Sequence, residues 1–172
     1  MEQLKNLIRT IPDFPSPGIM FRDITTVLKD PAGLQLAIDA IAESLNGLDF
    51  DIVIGPESRG FIFGVPLAYK LKKGFVPARK VGKLPAEVVK KAYALEYGEA
   101  EIEIHLDAIK PGSRVVIVDD LLATGGTAKA VADLVTELGA EVVGMSFLIE
   151  LEQLGGRALL ADYDCVKAIL VY

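Results

Sequence analysis

Residues 113–130 contain the residue types in this chain that are best suited to chemistry. The apolar, mostly β-branched run Val115–Val118 leads into the adjacent acids Asp119 and Asp120, and Thr-Gly-Gly-Thr follows at 124–127. An unbroken apolar run is typical of a strand covered on both faces, as in a parallel α/β sheet. Ligands bind at the carboxyl ends of such strands. The stretch therefore predicts a buried strand that delivers polar groups to a ligand site.

The turn after this strand has the composition of a phosphate-binding loop. Its two glycines let backbone N–H groups approach a bulky anion, and its threonines add hydroxyl donors. Apolar residues then recur at helical spacing up to Gly139, which predicts a helix whose positive N-terminal end faces the turn. The candidate phosphate-binding residues are Ala123, Thr124, Gly125, Gly126 and Thr127.

The two aspartates restrict what this loop could bind. Adjacent carboxylates repel a phosphate unless hydroxyl or cationic groups lie between them, and a phosphorylated sugar supplies such hydroxyls. We therefore interpret Asp119 and Asp120 as partners of sugar hydroxyls. An ordinary glycine-rich turn is the alternative interpretation of Thr-Gly-Gly-Thr taken alone. The order of four hydrophobic residues, two acids and this turn favours a functional site.

Composition narrows the class of protein. A chain of 172 residues is long enough for one domain with a single core, so we expect one domain over 1–172. No apolar run approaches the roughly 18 residues of a membrane-spanning helix, and no secretory signal opens the chain. The net charge of −6 argues against a nucleic-acid partner, and the single cysteine, Cys165, suits a reducing compartment. We expect a soluble, cytoplasmic protein.

Two further segments carry cations suited to a small polyanion. Residues 56–60, with Ser58 and Arg59, connect a predicted strand to a predicted helix, which is a favourable position for a phosphate. Residues 79–91 hold five basic residues against one acidic residue. A surface salt bridge remains the alternative for Arg59. A solvated basic loop remains the alternative for Lys90 and Lys91, which we leave out of the site.

Taken together, these motifs are similar to those of a known family. The stretch VVIVDDLLATGGT at 115–127 resembles the phosphoribosyl pyrophosphate (PRPP) signature of type I phosphoribosyltransferases. The resemblance to the adenine branch of that family extends along nearly the whole chain. It implies a mostly parallel central sheet flanked by helices, a small N-terminal hood over the base (residues 1–28) and a flexible lid loop (residues 79–97). The implied reaction is adenine plus PRPP giving AMP and pyrophosphate in purine salvage, with Mg²⁺ held mainly by PRPP, in a homodimer.

The resemblance also assigns roles to individual residues. In FPSPGIMFRDIT, residues 14–25, it implies that Phe21 stacks on adenine while the backbone of Met20 and Arg22 reads the edge of the base. In GPESRGFIFG, residues 55–64, it implies a pyrophosphate loop with a cis peptide bond between Glu57 and Ser58.

The implied catalytic residues are Glu96, a candidate general acid or base at the purine ring, together with Asp119 and Asp120. Tyr97, beside Glu96 in YALEYG (residues 93–98), would shield the reacting centre. The only histidine, His105, is expected on the exposed face of a strand beside Glu101 and Glu103. The implied pyrophosphate ligands are Ser58, Arg59, Arg79, Lys80, Lys83 and Tyr97.

One alternative function stays open, and two others are disfavoured by the sequence. The enzyme could act on another purine or a pyrimidine, although the N-terminal position of the hood segment favours adenine. A PRPP-sensing regulator that binds DNA is disfavoured by the length and the acidic charge of the chain. A dinucleotide-binding domain is disfavoured because neither G-x-G-x-x-G nor G-x-x-x-x-G-K-[ST] occurs.

Overall fold

A computed structural model describes residues 1–94 and 99–172. The longest helix among them has 14 residues, and none of the described helices is long and apolar enough to cross a membrane. The elements in chain order are α1 (Glu2–Leu7), β1 (Arg9–Pro12), β2 (Met20–Asp23), α2 (Thr25–Leu28), α3 (Pro31–Ser44), β3 (Ile52–Pro56), α4 (Arg59–Leu71), β4 (Gly74–Lys80), β5 (Val88–Ala94), β6 (Glu99–His105), β7 (Arg114–Leu122), α5 (Gly126–Glu137), β8 (Glu141–Glu150), a 3-10 helix (Glu152–Leu154), α6 (Gly156–Leu159) and β9 (Val166–Val171).

Internal contacts divide the chain into two compact units, Met1–Ala40 and Ile41–Tyr172. In the first unit, β1 and β2 form a two-stranded antiparallel sheet with Arg9 opposite Asp23. Asp23 accepts hydrogen bonds from the backbone N–H and the hydroxyl of Thr25 and from the Arg9 side chain, which fixes the end of β2. The predicted hood, residues 1–28, lies within this unit.

The second unit is built on a mostly parallel sheet of seven strands within the described residues, in the order β5-β6-β4-β3-β7-β8-β9. Strand β3 pairs in parallel with both β4 and β7, β7 pairs in parallel with β8, and β8 with β9. Strands β5 and β6 form an antiparallel hairpin that joins the sheet through β4. The predicted α/β class with a mostly parallel sheet is confirmed.

Strand β7 and helix α5 form the centre of this unit. Val115, Val116, Ile117 and Val118 are fully buried, as expected for a strand with both faces covered. Helix α5 turns Val131, Leu134 and Val135 into the same core, at the spacing that the sequence predicts. The helix ends before Gly139, which has a φ of +76° and occupies the predicted position after the C-terminus.

The observed elements differ from the sequence-based expectation at two places. Residues 88–94, expected within the lid loop, form β5 and pair with β6. The alternation along β6 predicts Glu103 and His105 at the solvent face, but Glu103 is 2% exposed and His105 is half-buried. Glu103 is buried because it accepts backbone N–H groups from a turn 20 residues earlier in the chain. Atom Nε2 of His105 is buried and has no hydrogen-bond partner within the described residues.

Candidate active site

The polar side chains lie where the neighbouring parallel strands β3 and β7 end. Residues Ile52–Ile54 pair with Val115–Ile117, so both strands deliver their following residues to the same edge of the sheet. Helix α4 begins close to β7, because a Cβ on Gly60 would lie 3.0 Å from the carbonyl oxygen of Val118 and 3.1 Å from Oδ1 of Asp119. This packing brings the turn at 56–59 next to the aspartates.

A cavity of about 220 Å³ lies at this edge and joins groups from the two strand ends. Contrary to the simple expectation of a strand followed by a polar loop, Asp119 and Asp120 still belong to β7, which continues to Leu122. The structure brings together predicted residues from both segments here. The residues that line the cavity are Glu57, Ser58, Arg59, Tyr93, Asp119, Asp120, Leu121, Ala123 and Thr127.

A second cavity, of about 130 Å³, is formed by the phosphate loop, a name we use for residues 123–127. Gly125 has a φ of +83°, a conformation that glycine adopts readily, and α5 begins at the next residue. The first four N–H groups of an α-helix have no hydrogen-bond partner within the helix. At the N-terminus of α5, such groups are therefore available as donors to an anion in this cavity. The two cavities share Asp119, Leu121, Ala123 and Thr127 in their walls and therefore adjoin.

Asp119 and Asp120 experience opposing electrostatic effects. Burial raises the pKa of Asp119 well above its ordinary value, and repulsion from Asp120 raises it further. Burial also raises the pKa of Asp120, although the Arg59 guanidinium opposes this shift with its Nε 3.1 Å from Oδ2. The backbone N–H of Asp120 donates to Oδ1 of Asp119 at 2.9 Å. A hydroxyl donor or a cation bound here would stabilise the ionised pair.

Glu57 links the turn after β3 to the end of β4. Its Oε2 accepts hydrogen bonds from Nε of Arg79 and from the backbone N–H of Lys80, both at 3.1 Å. Burial raises the pKa of Glu57, but these hydrogen bonds outweigh burial and leave the pKa below its ordinary value. The peptide bond between Glu57 and Ser58 is cis, so the predicted cis bond is confirmed. Arg79 is thereby held beside the pyrophosphate loop implied by the sequence.

The other predicted basic ligands lie apart from this cavity. Lys83 and Leu84 donate their backbone N–H groups to Oε1 of Glu103 at 3.0 and 2.9 Å. Burial raises the pKa of Glu103, but the backbone hydrogen bonds of this turn outweigh burial and lower it. Lys80 lines a separate, open cavity with Glu101. Among the described residues, Lys80 and Lys83 are therefore not part of the wall that carries the aspartates.

Comparison with known proteins shows the family of this chain. A family model for the phosphoribosyl transferase domain matches residues 23–169. An adenine phosphoribosyltransferase of Agathobacter rectalis is 61% identical over 172 residues, covering 100% of this chain and 98% of the relative. The chain belongs to the adenine phosphoribosyltransferase family.

Solved structures of this family have the same fold. The adenine phosphoribosyltransferase of Thermoanaerobacter pseudethanolicus superposes with a TM-score of 0.96 at 53% identity, covering 99% of both chains. The Saccharomyces cerevisiae enzyme, solved with adenine and an imino-altritol bisphosphate, superposes with a TM-score of 0.91 at 42% identity, covering 98% of this chain and 97% of that one. The predicted phosphoribosyltransferase fold is confirmed.

The residues expected to contact adenine in this family lie on β2 in the first unit. The Phe21 ring meets the Phe14 ring edge-on, with centroids 5.1 Å apart and an interplanar angle of 75°. Phe21 is half-buried and Met20 is 49% exposed. Strand β2, which contains Met20, Phe21 and Arg22, pairs with β1 in the two-stranded sheet. The contact between these residues and adenine stays a prediction.

Two predicted site residues cannot be placed, and one lining residue was not predicted. Glu96 and Tyr97 lie outside the described residues, so their roles stay predictions. Tyr93 lines the larger cavity beside Asp119 and Asp120, although it was not among the predicted site residues. Val89 and Tyr93 share one face of β5 and both pack against the core, so this apolar pair four residues apart is the sequence signal that could have identified Tyr93.

The donor set of this site suits magnesium only in part. The described residues contain no cluster of three or more His, Cys, Asp or Glu side chains that could hold a metal ion. They do provide the adjacent carboxylates Asp119 and Asp120 at the cavity wall. Mg²⁺ commonly uses one or two carboxylates plus substrate phosphates and waters. The site therefore fits a magnesium ion that arrives with a phosphorylated substrate.

Proposed function

We propose that this chain transfers the phosphoribosyl group of PRPP to adenine and releases AMP and pyrophosphate. The observation that carries the proposal is that Asp119 lines both of two adjoining cavities, one formed by the phosphate loop and one by Ser58 and Arg59, and that Asp120 lines the second of them. A sugar with a phosphate at one end and a diphosphate at the other matches this order of groups. The relatives at 59% and 61% identity are adenine phosphoribosyltransferases.

In this proposal the donor lies across the ends of β3 and β7. The 5′-phosphate accepts hydrogen bonds from the phosphate loop at the N-terminus of α5, where the helix dipole favours an anion. The ribose hydroxyls donate to Asp119 and Asp120. The pyrophosphate lies at the turn that carries Ser58 and Arg59, with Arg79, Lys80, Lys83 and Tyr97 as further ligands.

The chemical step requires opposite charges to be stabilised at two places. The bond between C1′ and the pyrophosphate oxygen breaks, and its electron pair leaves with pyrophosphate. A bond forms between C1′ and a ring nitrogen of adenine, which loses its proton. Asp119 and Asp120 stabilise the positive charge that develops on the ribose, and Arg59 and Arg79 stabilise the leaving group. Glu96 is the proposed acid or base for the adenine proton.

We propose Mg²⁺ as the cofactor, with Asp119 and Asp120 as the residues that would hold it together with PRPP. A bound magnesium ion supplies additional positive charge to the pyrophosphate oxygens. The ionised carboxylates would orient the ribose hydroxyls, and Arg59 favours the ionised form of Asp120 through their ion pair.

Adenine is proposed to stack on Phe21, while the backbone N–H and C=O groups of Met20 and Arg22 recognise its edge. One donor and one acceptor per residue match the pattern of acceptor and donor groups on adenine. Residues 79–97, which include strand β5 and not only a loop, are proposed to act as a lid that excludes water from the developing ribosyl cation. Excluding water prevents hydrolysis of PRPP from competing with transfer to adenine.

We also infer a cytoplasmic homodimer that serves purine salvage, on the basis of the family resemblance. The surface of α4 offers a candidate contact face, because Ile62, Val65 and Tyr69 are 38%, 49% and 87% exposed and lie on one side of the helix. Contiguous exposed apolar residues are typical of association surfaces. Light scattering of the purified chain would distinguish a dimer from a monomer, and Tyr69→Glu would test this face.

The direct test is a panel of purine and pyrimidine bases incubated with the protein, PRPP and Mg²⁺ while pyrophosphate release is followed. We expect release with adenine and little release with hypoxanthine, guanine or uracil. Reactions without a base measure hydrolysis of PRPP and serve as the control. Preferential turnover of another base would assign a different substrate, and no turnover with any base would refute the transferase proposal.

A further inference from the structure

The phosphate loop has a second feature, a direct backbone contact with Gly156 at the start of α6. A Cβ on Gly156 would lie 2.2 Å from the carbonyl oxygen of Ala123 and 2.9 Å from the backbone nitrogen of Gly125. A Cβ on Gly125 would in turn lie 2.6 Å from the carbonyl oxygen of Gly156. Two stretches of main chain therefore touch with no room for a side chain on either.

Gly156 contacts the loop without facing the ligand cavities. It is absent from the described residues that line either cavity, whereas Ala123 and Gly125 line the phosphate-loop cavity. Any influence of Gly156 on a bound phosphate must therefore pass through the loop. Its φ is not in the left-handed region, so the restriction at this position is one of space and not of backbone conformation.

An ion pair holds Gly156 in this position. The next residue, Arg157, donates from Nε to Oε1 of Glu150 at 3.0 Å and from Nη2 to the other carboxylate oxygen of Glu150. Its Nη1 donates to the carbonyl oxygen of Val166 at 2.8 Å. Glu150 is 5% exposed, and such a bidentate pair is directional as well as strong. Arg157, in the first turn of α6, is thus bonded to the last residue of β8 and to the first residue of β9.

The end of β8 also contacts the end of β7, which leads into the phosphate loop. Glu150 is paired with Leu122, the last residue of β7 before the phosphate loop, and the backbone N–H of Leu151 donates to the carbonyl oxygen of Leu122 at 2.9 Å. The loop is therefore enclosed between β7, from which it emerges, and Gly156, which β8 holds through Arg157. Both sides of this frame belong to the second unit.

We propose that Gly156 is a positioning residue for the phosphate loop and that the Arg157–Glu150 pair holds it in place for binding of the donor's 5′-phosphate. This inference rests on the proposed function. An added methyl group must displace the backbone of Ala123 or Gly125, and that movement misdirects N–H groups that need donor–acceptor distances near 2.9 Å. Displacements approaching 1 Å commonly reduce activity by about 10²-fold.

Gly156→Ala is the decisive variant, and Gly155→Ala is its matched control. Gly155 has a φ of +65° and open space around its Cβ position, so alanine there strains the backbone without pushing the loop. Both substitutions add one methyl group to the same short segment. Gly155→Ala is expected to lower the melting temperature while leaving phosphate binding close to that of the wild type.

The assay measures the dissociation constants of ribose 5-phosphate and of pyrophosphate by calorimetry, together with kcat and KM for PRPP. Gly156→Ala is expected to weaken ribose 5-phosphate binding and raise the KM for PRPP by about tenfold or more, because the loop is displaced. Pyrophosphate binding should stay near the wild-type value. Arg157→Met should reproduce the selective loss and Arg157→Lys should restore part of the affinity, which tests the proposal even if Gly156→Ala fails to fold.

Unchanged ribose 5-phosphate binding in Gly156→Ala would overturn the positioning role, and so would an equal loss in Gly155→Ala. Equal losses for ribose 5-phosphate and pyrophosphate would indicate general damage and would also overturn it. If the wild-type protein binds no ribose 5-phosphate and turns over no base, the proposed function itself fails. A wild type that binds and turns over, beside an unaffected Gly156→Ala, refutes only the inference about Gly156.

Discussion

Replacing Asp120 by asparagine separates the chemical role of this carboxylate from its role in the fold. The substitution keeps the size of the side chain and removes its charge. Asp120 is 4% exposed, borders Asp119 and pairs with Arg59. We expect Asp120→Asn to lose most of the transferase activity while unfolding at nearly the wild-type temperature.

The expected change in stability is small because two contributions oppose each other. Loss of the ion pair with the 41%-exposed Arg59 side chain costs about 0–1 kcal/mol. Removing a buried ionisable group beside Asp119 opposes this cost, because burial disfavours the ionised form of Asp120 and raises its pKa. A net change of about 1 kcal/mol in the free energy of unfolding shifts the melting temperature by about 2–4 °C in a chain of this size.

The expected change in rate is much larger. Loss of one preorganised electrostatic partner of a transition state commonly lowers kcat by about 10²–10³-fold. The assay compares kcat for adenine and PRPP with the melting temperature measured by circular dichroism. Asp107→Asn provides the control, because Asp107 is exposed and lies outside both site cavities. Wild-type kcat in Asp120→Asn, or an activity loss that only follows unfolding, would refute the reasoning.

The pH dependence gives an independent check. The folded-state pKa of Asp120 is raised above its ordinary value of 3.8, so ionisation opposes folding. The stabilising contribution of the protonated form is complete below 3.8 and is lost as the pH rises through the folded pKa. Asparagine at position 120 does not ionise, so the variant does not lose this stabilising contribution as the pH rises. The substitution also removes the repulsion by which Asp120 raises the pKa of Asp119. The stability of the variant relative to the wild type should therefore increase from acidic toward neutral pH, and a flat difference would contradict the assigned direction.

Three further perturbations test other parts of the molecule. Phe21→Ala should weaken adenine binding in calorimetry and leave PRPP binding unchanged, and the reverse result would move the base site elsewhere. Glu96→Gln should reduce turnover under conditions in which chemistry limits the rate, and an unchanged rate would assign the proton to another group. Hydrogen bonds from Thr25 and Arg9 lower the pKa of Asp23 to about 2. Asp23→Asn should therefore lower the unfolding free energy by about 1–3 kcal/mol at neutral pH. In denaturant titrations this difference should persist above pH 3.8 and disappear as the pH falls through about 2. A difference that persists at the lowest pH would show that ionisation of Asp23 is not its cause.

The central strand and helix could be predicted from sequence because their signals are local. The apolar run at 115–118 and the helical spacing after Gly126 each concern consecutive residues whose burial follows from the pattern itself. The cis bond at Glu57–Ser58 was available only through the family resemblance, since no local pattern encodes it. The adenine branch of the family was likewise predicted only through the resemblance, because composition alone does not indicate it.

The structural features that the sequence did not predict depend on contacts between residues that are distant along the chain. Glu103 is buried because it accepts N–H groups from the turn at 83–84, and alternation along β6 contains no information about that turn. Strand β7 extends past Asp119 and Asp120 because β8 continues beside it to Glu150. The backbone contact of Gly156 with the phosphate loop likewise joins residues about thirty positions apart, so it appears only in three dimensions.

Glu57 has a consequence for how this sequence can vary over generations. One oxygen of its carboxylate serves both the Arg79 side chain and the backbone of Lys80, and the side chains of Glu57 and Arg79 are only 17% and 33% exposed. A change at either position alone leaves an unmatched charge or an unsatisfied donor in a sheltered place. Descendants of this chain are therefore expected to keep both residues or to exchange both together, so that positions 57 and 79 are inherited as a pair.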